Sequence, residues 1–138
     1  MQHTTLMTPA FHCFPLAGGG LHIMKLTSIV EVPASDASKW ADAAKRFEIN
    51  RTMYSLLDGG KTRIVGGLIR EFAKDTFHHT SVVQWAAFVR IDMTDREVSS
   101  ALAELRKEAG PPVEKLSPRG PGTEWAINRS ALEKYLHV

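Results

Sequence analysis

The 138-residue chain has one cysteine, Cys13, so no disulfide can form within it. A lone thiol fits a reducing cytoplasm, and we read Cys13 as incidental rather than reactive. Positive charge is missing from the start: residues 1 to 23 contain no Lys or Arg, which leaves out the charged n-region of a secretory signal. No apolar run approaches the roughly 20 residues needed to span a bilayer, so no membrane association is expected. Nor is there a strong charge imbalance. A net charge of +2 permits nucleic-acid binding without demanding it, because a cationic face matters more than the total. With 43% hydrophobic and 23% charged residues, disordered and fibrous classes are excluded, and the length suits one domain or two very small ones.

The usual catalytic arrangements are missing as well. Gly59-Gly60-Lys61-Thr62 has the ending of a phosphate-binding loop, but Ser55 stands where its first glycine would be, and no suitable strand precedes it. His78 and His79 are adjacent, so on regular structure they point in different directions; with a single cysteine in the chain they read as a polar loop rather than a metal site. The acids are scattered at helix-surface spacing, with no pair set up for acid/base work. The expectation is a protein that is not an enzyme and carries neither metal nor cofactor.

What is present centres on Thr94 to Asn128. Thr94 can cap a helix with Glu97 in the capping-box position, while Gly110 and Pro111-Pro112 end it. Between these limits Val98, Ala101, Leu102 and Leu105 recur at i, i+3, i+4 and i+7 and form one apolar stripe. Opposite lie Arg96, Ser100, Ala103 and Lys107, with Glu97, Glu104 and Glu108 on one flank. Small residues between cations let a helix approach a nucleic-acid groove closely, although an ordinary solvated face gives the same pattern. Upstream, Ser81 precedes Val82, Trp85, Ala86 and Val89 at helical spacing, and Arg90 to Met93 has the length of a helix-turn-helix turn. Downstream, VEKL and TEWAI are strand-like runs joined by Ser117-Pro118-Arg119-Gly120-Pro121-Gly122.

Helix, short turn, capped helix and hairpin over residues 61 to 138 resemble the winged helix-turn-helix superfamily of small bacterial, archaeal and phage DNA-binding regulators. The resemblance is specific for fold and less so for function, because many winged helices bind proteins instead. It implies a recognition helix over residues 94 to 109 and a wing over residues 113 to 127. Thr94, Asp95, Arg96, Ser99 and Ser100 would face base edges in the major groove. Lys107 is a phosphate candidate, and Lys115 and Arg119 on the wing would touch phosphate or minor groove.

Residues 1 to 23 read as a flexible tail. Met24 opens MKLTSIVEV, a plausible natural beginning of translation, and Leu26 to Val32 as a short strand ended by Pro33. Ser35 to Ser38 offer caps for a helix with Trp40, Ala43, Ala44 and Phe47 on one face. WADAAKRFEINRTMYSLLDGGKTRIVGG, within residues 38 to 67, resembles the helix-turn-helix of excisionase and MerR-like proteins, though Glu48 falls where a glycine is usual. That likeness makes Asn50 a cap, turns Ile49, Met53, Leu56 and Leu57 inward, and presents Arg51, Tyr54 and Ser55 as a second set of DNA contacts. Its wing would run from Arg63 to Ile69. The competing reading, which we favour, makes Thr62 to Thr76 a helix with Ile64, Val65, Leu68, Ile69 and Phe72 on one face, despite a cost of about 1 kcal/mol for each of Gly66 and Gly67. It would supply the first helix the winged domain needs.

The expected fold is therefore mainly α with a small β-hairpin wing: a winged helix-turn-helix preceded by an N-terminal segment at residues 24 to 60. The expected function is cytoplasmic, sequence-specific binding of double-stranded DNA by a homodimer, whose interface comes from the N-terminal segments or the last helix, Ser130 to Leu136. The alternative is a winged helix that binds a protein partner, such as a phage-encoded inhibitor or an assembly subunit.

Overall fold

The computed structural model describes residues 6–7, 11–15, 21–25, 28–32, 34–54, 60–116 and 123–137. Four strands open the chain: β1 (Leu6–Met7), β2 (Phe11–Pro15), β3 (Leu21–Lys25) and β4 (Ser28–Val32). Each pairs antiparallel with the next in an up-and-down sheet. The segment read as a tail thus carries backbone strands. Its lack of charge was the basis for that reading, yet β-formers such as Phe11, Phe14, Leu21 and Ile23 favour pairing. Met24 falls inside β3, opposite Ile29 of β4.

Helix α1 (Ala34–Ile49) follows, and its predicted face is the one that packs: Ala43 and Phe47 are buried, with Trp40 and Ala44 packed against the core. The ambiguous stretch after it is a helix, α2 (Gly60–Phe72). Six consecutive residues, Ile64 to Ile69, are buried. An amphipathic surface helix cannot do this; α2 is enclosed, and α1, α3 (His79–Phe88), α4 (Asp95–Arg106) and α5 (Arg129–Leu136) all pack on it.

The two glycines explain how. A Cβ on Gly67 would lie 2.5 Å from Cγ of Tyr54, so the Tyr54 ring rests directly on the helix backbone. On another side, a Cβ on Gly66 would reach Leu136 of α5 at 3.4 Å. Tyr54 is therefore fully buried, stacked on Phe47 at 5.2 Å between centroids. The second helix-turn-helix expected here does not form as drawn. Residues 50 to 54 are turns, Tyr54 faces the core rather than DNA, and Ile49 points outward at 74% exposure. Asn50 closes α1 instead of opening a helix, its Nδ2 donating to the Arg46 carbonyl at 3.1 Å. Leu56 and Leu57 lie outside the described residues.

The second sheet contains β5 (Thr76–His78), β6 (Val113–Lys115) and β7 (Glu124–Ile127), in the order β5-β7-β6 and antiparallel. Helix α2, strand β5, helix α3, a turn over residues 89 to 94, helix α4 and the β6–β7 hairpin make a mainly helical unit with a small antiparallel sheet, compatible with the expected small β wing. Arg90 adopts a left-handed φ of 67° in that turn. One core cluster runs from Val32 to Leu136, so α1 belongs to the same body as the elements that follow it. Helix α5 buries Leu132 and Leu136 against α2, which leaves its apolar face unavailable for the dimer contact expected of it.

Two substitutions separate the roles of the glycines. Gly67→Ala should destabilise the protein by about 1 to 3 kcal/mol in urea unfolding, because overpacking outweighs helix propensity. Gly66→Ala, at ordinary contact distance, should be neutral or stabilise by up to about 1 kcal/mol. Equal effects at the two sites would refute the packing account of Gly67.

Candidate nucleic-acid interface

Helix α4 begins with the predicted capping box. Thr94 Oγ1 accepts from the Glu97 N–H at 3.1 Å, and the Thr94 N–H donates to Glu97 Oε1 at 3.0 Å. The helix ends at Arg106 rather than near 109, with Lys107 as its cap residue. Tight i to i+3 bonds, Lys107 N–H to the Glu104 carbonyl and Glu108 N–H to the Leu105 carbonyl, close the last turn ahead of Gly110, at a left-handed φ of 67°. Val98, Ala101, Leu102 and Leu105 are buried, and the opposite stripe of Arg96, Ser100, Ala103 and Lys107 is exposed.

The two flanks of that stripe differ. On the α2 side, Glu97 forms an ion pair with Lys61, and a cleft of about 290 Å³ runs between Lys61, Arg96, Ser100 and Glu104. On the wing side, a groove of about 460 Å³ is lined by His79, Ser99, Ala103, Arg106, Lys107, Lys115, Thr123 and Trp125. Strand alternation sets its far wall. Lys115 pairs with Trp125, and Trp125 with Phe77, across the sheet, so these three share one face. Glu114 and the cross-strand pair His78 and Glu124 take the other face.

Among the described residues, each predicted contact residue has a place. Arg96, Ser99 and Ser100 are exposed together on α4. Thr94 is exposed but engaged in the cap. Asp95 is also exposed, its carboxylate 3.8 Å from His79 Nε2, and it stabilises the helix start through the macrodipole. Lys107 extends into solvent with Nζ 3.9 Å from Glu104. Lys115 is half-buried on the inner face of the hairpin. Arg119 and Ser55 lie outside the described residues. Arg51 is half-exposed beside Glu48, with Nη1 to Oε2 at 3.5 Å, and neither it nor Tyr54 joins the α4 surface.

Four lining residues, His79, Arg106, Thr123 and Trp125, escaped the sequence reading. Arg106 was within reach, since it is i+7 from Ser99 and i+3 from Ala103. The other three have no local signal, because only the packing of β7 and the start of α3 against α4 brings them there; the His79 N–H donates to the Thr123 carbonyl at 3.0 Å.

A polar network lies at the other end of α2. Glu71, only 7% exposed at its side chain, receives the Tyr54 hydroxyl, Arg46 Nε at 3.1 Å and Asn50 Nδ2 at 3.5 Å. Burial, together with Glu71 accepting its proton, pushes the Tyr54 hydroxyl pKa well up, so it stays a donor. Arg70 Nε continues the network to Glu133 of α5 at 2.6 Å. The network joins α1, α2 and α5.

Among the described residues, no helix is long and apolar enough to cross a membrane, and no group of three or more His, Cys, Asp or Glu could hold a metal ion. Compared with family models, with characterised proteins and with solved structures, the chain matches none.

Removing the cap tests how firmly the interface is held. Thr94→Ala should cost about 1 kcal/mol of unfolding free energy, measured in urea; a loss below a few tenths would mean that Glu97 and Lys61 secure the helix start alone.

Proposed function

We propose that this protein is a sequence-specific double-stranded DNA-binding protein, a small cytoplasmic transcriptional regulator of the bacterial, archaeal or phage type. The observation that carries the reading is the exposed face of α4. Arg96, Ser99, Ser100 and Ala103 form an exposed surface with one long cation, on a helix that packs beside strand β6 of the hairpin. A helix of this kind fits the major groove, where Arg96 can donate two hydrogen bonds to a guanine edge and the serines to either base type. Lys107 and Lys115 supply phosphate contacts.

The glutamates on α4, which argue for a protein partner when only the sequence is read, have local functions. Glu97 completes the cap and pairs with Lys61, and Glu104 neighbours Lys107. Both are on or toward the α2 flank, away from the wing. The protein-docking alternative still draws on the weak net charge of +2 and on the exposed acids Asp95, Glu104 and Glu108. Two copies on a two-fold site, with half-sites about one helical turn apart, complete the proposal; Leu132 and Leu136 are not the shared surface.

Binding to a mixed-sequence duplex at low and high salt is the direct test. Affinity should fall steeply with salt through counterion release. Arg96→Ala should cost about 1 to 3 kcal/mol against the preferred site and relax preference at one base position. A folded protein with no measurable duplex binding at low salt would refute the reading.

A further inference from the structure

A cleft of about 620 Å³ lies between α1, the C-terminal end of α2 and α3, a size within the range of small-molecule sites. Helix α1 contributes Asp36, Lys39, Trp40, Ala43 and Arg46, whose spacings of three and four put them on one side of the helix. The floor is aromatic. Trp40, Phe72 and Trp85 line it, with Phe72 stacked on Trp85 at 5.6 Å between centroids and Trp40 edge-on to Phe72 at 5.9 Å. Trp40 and Phe72 are only half-buried, so apolar ring surface remains accessible where they line the cleft.

The rim carries charge of both signs. Arg46 Nε and Glu71 Oε2 lie 3.1 Å apart and offset each other. Lys39 and Lys74 then face Asp36 and Asp42 across the same cleft. Among the described residues, none of these four side chains has a hydrogen-bond or ion-pair partner. Lys39 has an aspartate three residues away on either side, the spacing at which opposite charges on a helix meet, yet it pairs with neither. This balance selects the ligand. A purely anionic or purely cationic molecule would meet as much repulsion as attraction, and an uncharged one would leave all four groups unused. A zwitterion with an aromatic side chain satisfies both signs through charge-assisted hydrogen bonds and covers the floor as well.

We propose that this cleft binds a free aromatic α-amino acid. Its ring packs on Trp40 and Phe72, its carboxylate takes Lys39 or Lys74, and its ammonium takes Asp36 or Asp42. Ser81 and Gln84 on the α3 wall offer a hydroxyl and an amide to the waters that fill the remaining space. The inference is independent of the DNA reading, because none of these residues belongs to the α4 surface. It gives a role to the inner side of α1, which that reading leaves unused.

The test follows the indole N–H resonances of Trp40, Trp85 and Trp125 in the ¹⁵N-labelled full chain during titration with L-phenylalanine. Three controls each remove one feature: L-isoleucine the aromatic ring, 3-phenylpropionate the ammonium, and phenethylamine the carboxylate. Phenylalanine should move the Trp40 and Trp85 resonances saturably at millimolar concentration and leave Trp125 in place. The midpoints for the controls should be higher by about tenfold, the loss expected when one charge-assisted bond or the ring contact is missing. Two double variants, Lys39→Ala with Lys74→Ala and Asp36→Asn with Asp42→Asn, should each raise the phenylalanine midpoint by a similar factor. None of the four side chains is buried, so both variants should keep the parent's thermal unfolding. The absence of a saturable shift with phenylalanine overturns the site. So does a control that binds as tightly as phenylalanine, or a midpoint that neither double variant changes.

Discussion

The contact between the Tyr54 ring and the backbone of α2 at Gly67 sets the geometry of the molecule. A helix buried on every side needs neighbours that approach closely, and side chains longer than hydrogen would hold them off. Two adjacent glycines lower helix propensity by about 1 kcal/mol each relative to alanine. The enclosure they permit returns more, because six successive residues leave water together. Tyr54 also carries its hydroxyl to Glu71, from which Arg46 and Asn50 tie down the end of α1. Arg70 and Glu133 then tie α5 to the same helix. Arg129 adds donation to the carbonyls of Arg70, Ala73 and Lys74, capping the end of α2.

With α2 fixed in this way, α4 is positioned by the side of α2 that remains. Val98, Ala101, Leu102 and Leu105 fill the space between α2 and α3, and Lys61 holds Glu97 at the first turn. The exposed stripe of α4 is consequently a rigid surface, and its rotation about the helix axis is determined by the core. Such rigidity matters for recognition, since contacts presented on a fixed helix lose little side-chain and backbone freedom on binding.

Most elements from Lys61 onward were legible in the sequence because their signals are local; strand β5 (Thr76–His78) was not, since residues 62 to 76 read as one helix, which ends at Phe72, and His78-His79 as a polar loop. The Thr94 cap, the spacing of Val98 to Leu105 and the alternation in VEKL and TEWAI each depend on neighbours a few residues apart. The reading failed where a long-range contact decides the matter. Tyr54 looked like an outward residue on an amphipathic helix; it is buried because Gly67, thirteen residues later, leaves room for its ring. Ile49 shows the converse, an apolar residue left exposed where the chain turns away. Strand β4 agrees with the strand read from Leu26 to Val32, but β1 to β3 were obscured by composition: a stretch without charges reads as a tail unless its pairing partner is known. Within the candidate interface, spacing alone grouped Arg96, Ser100, Ala103 and Lys107, while Ser99 and Lys115 came from the winged-helix resemblance. His79, Thr123 and Trp125 were not found, since tertiary packing alone brings them to α4.

Charge distribution shows why total charge was a poor guide. A chain of net charge +2 gives a weak field at a distance, and electrostatic steering from its monopole is small. What a phosphate meets at a few ångströms depends on which groups share a face. The strand period turns Glu114 and Glu124 away from the face that carries Lys115, and Glu97 pairs with Lys61, whereas Glu104 stays 3.9 Å from Lys107 and Asp95 3.8 Å from His79, so the local excess of cations is modest. Beyond roughly a Debye length of about 8 to 10 Å, the acids cancel that excess. A protein built this way would bind a polyanion only on close approach in one orientation, which favours register over indiscriminate attachment.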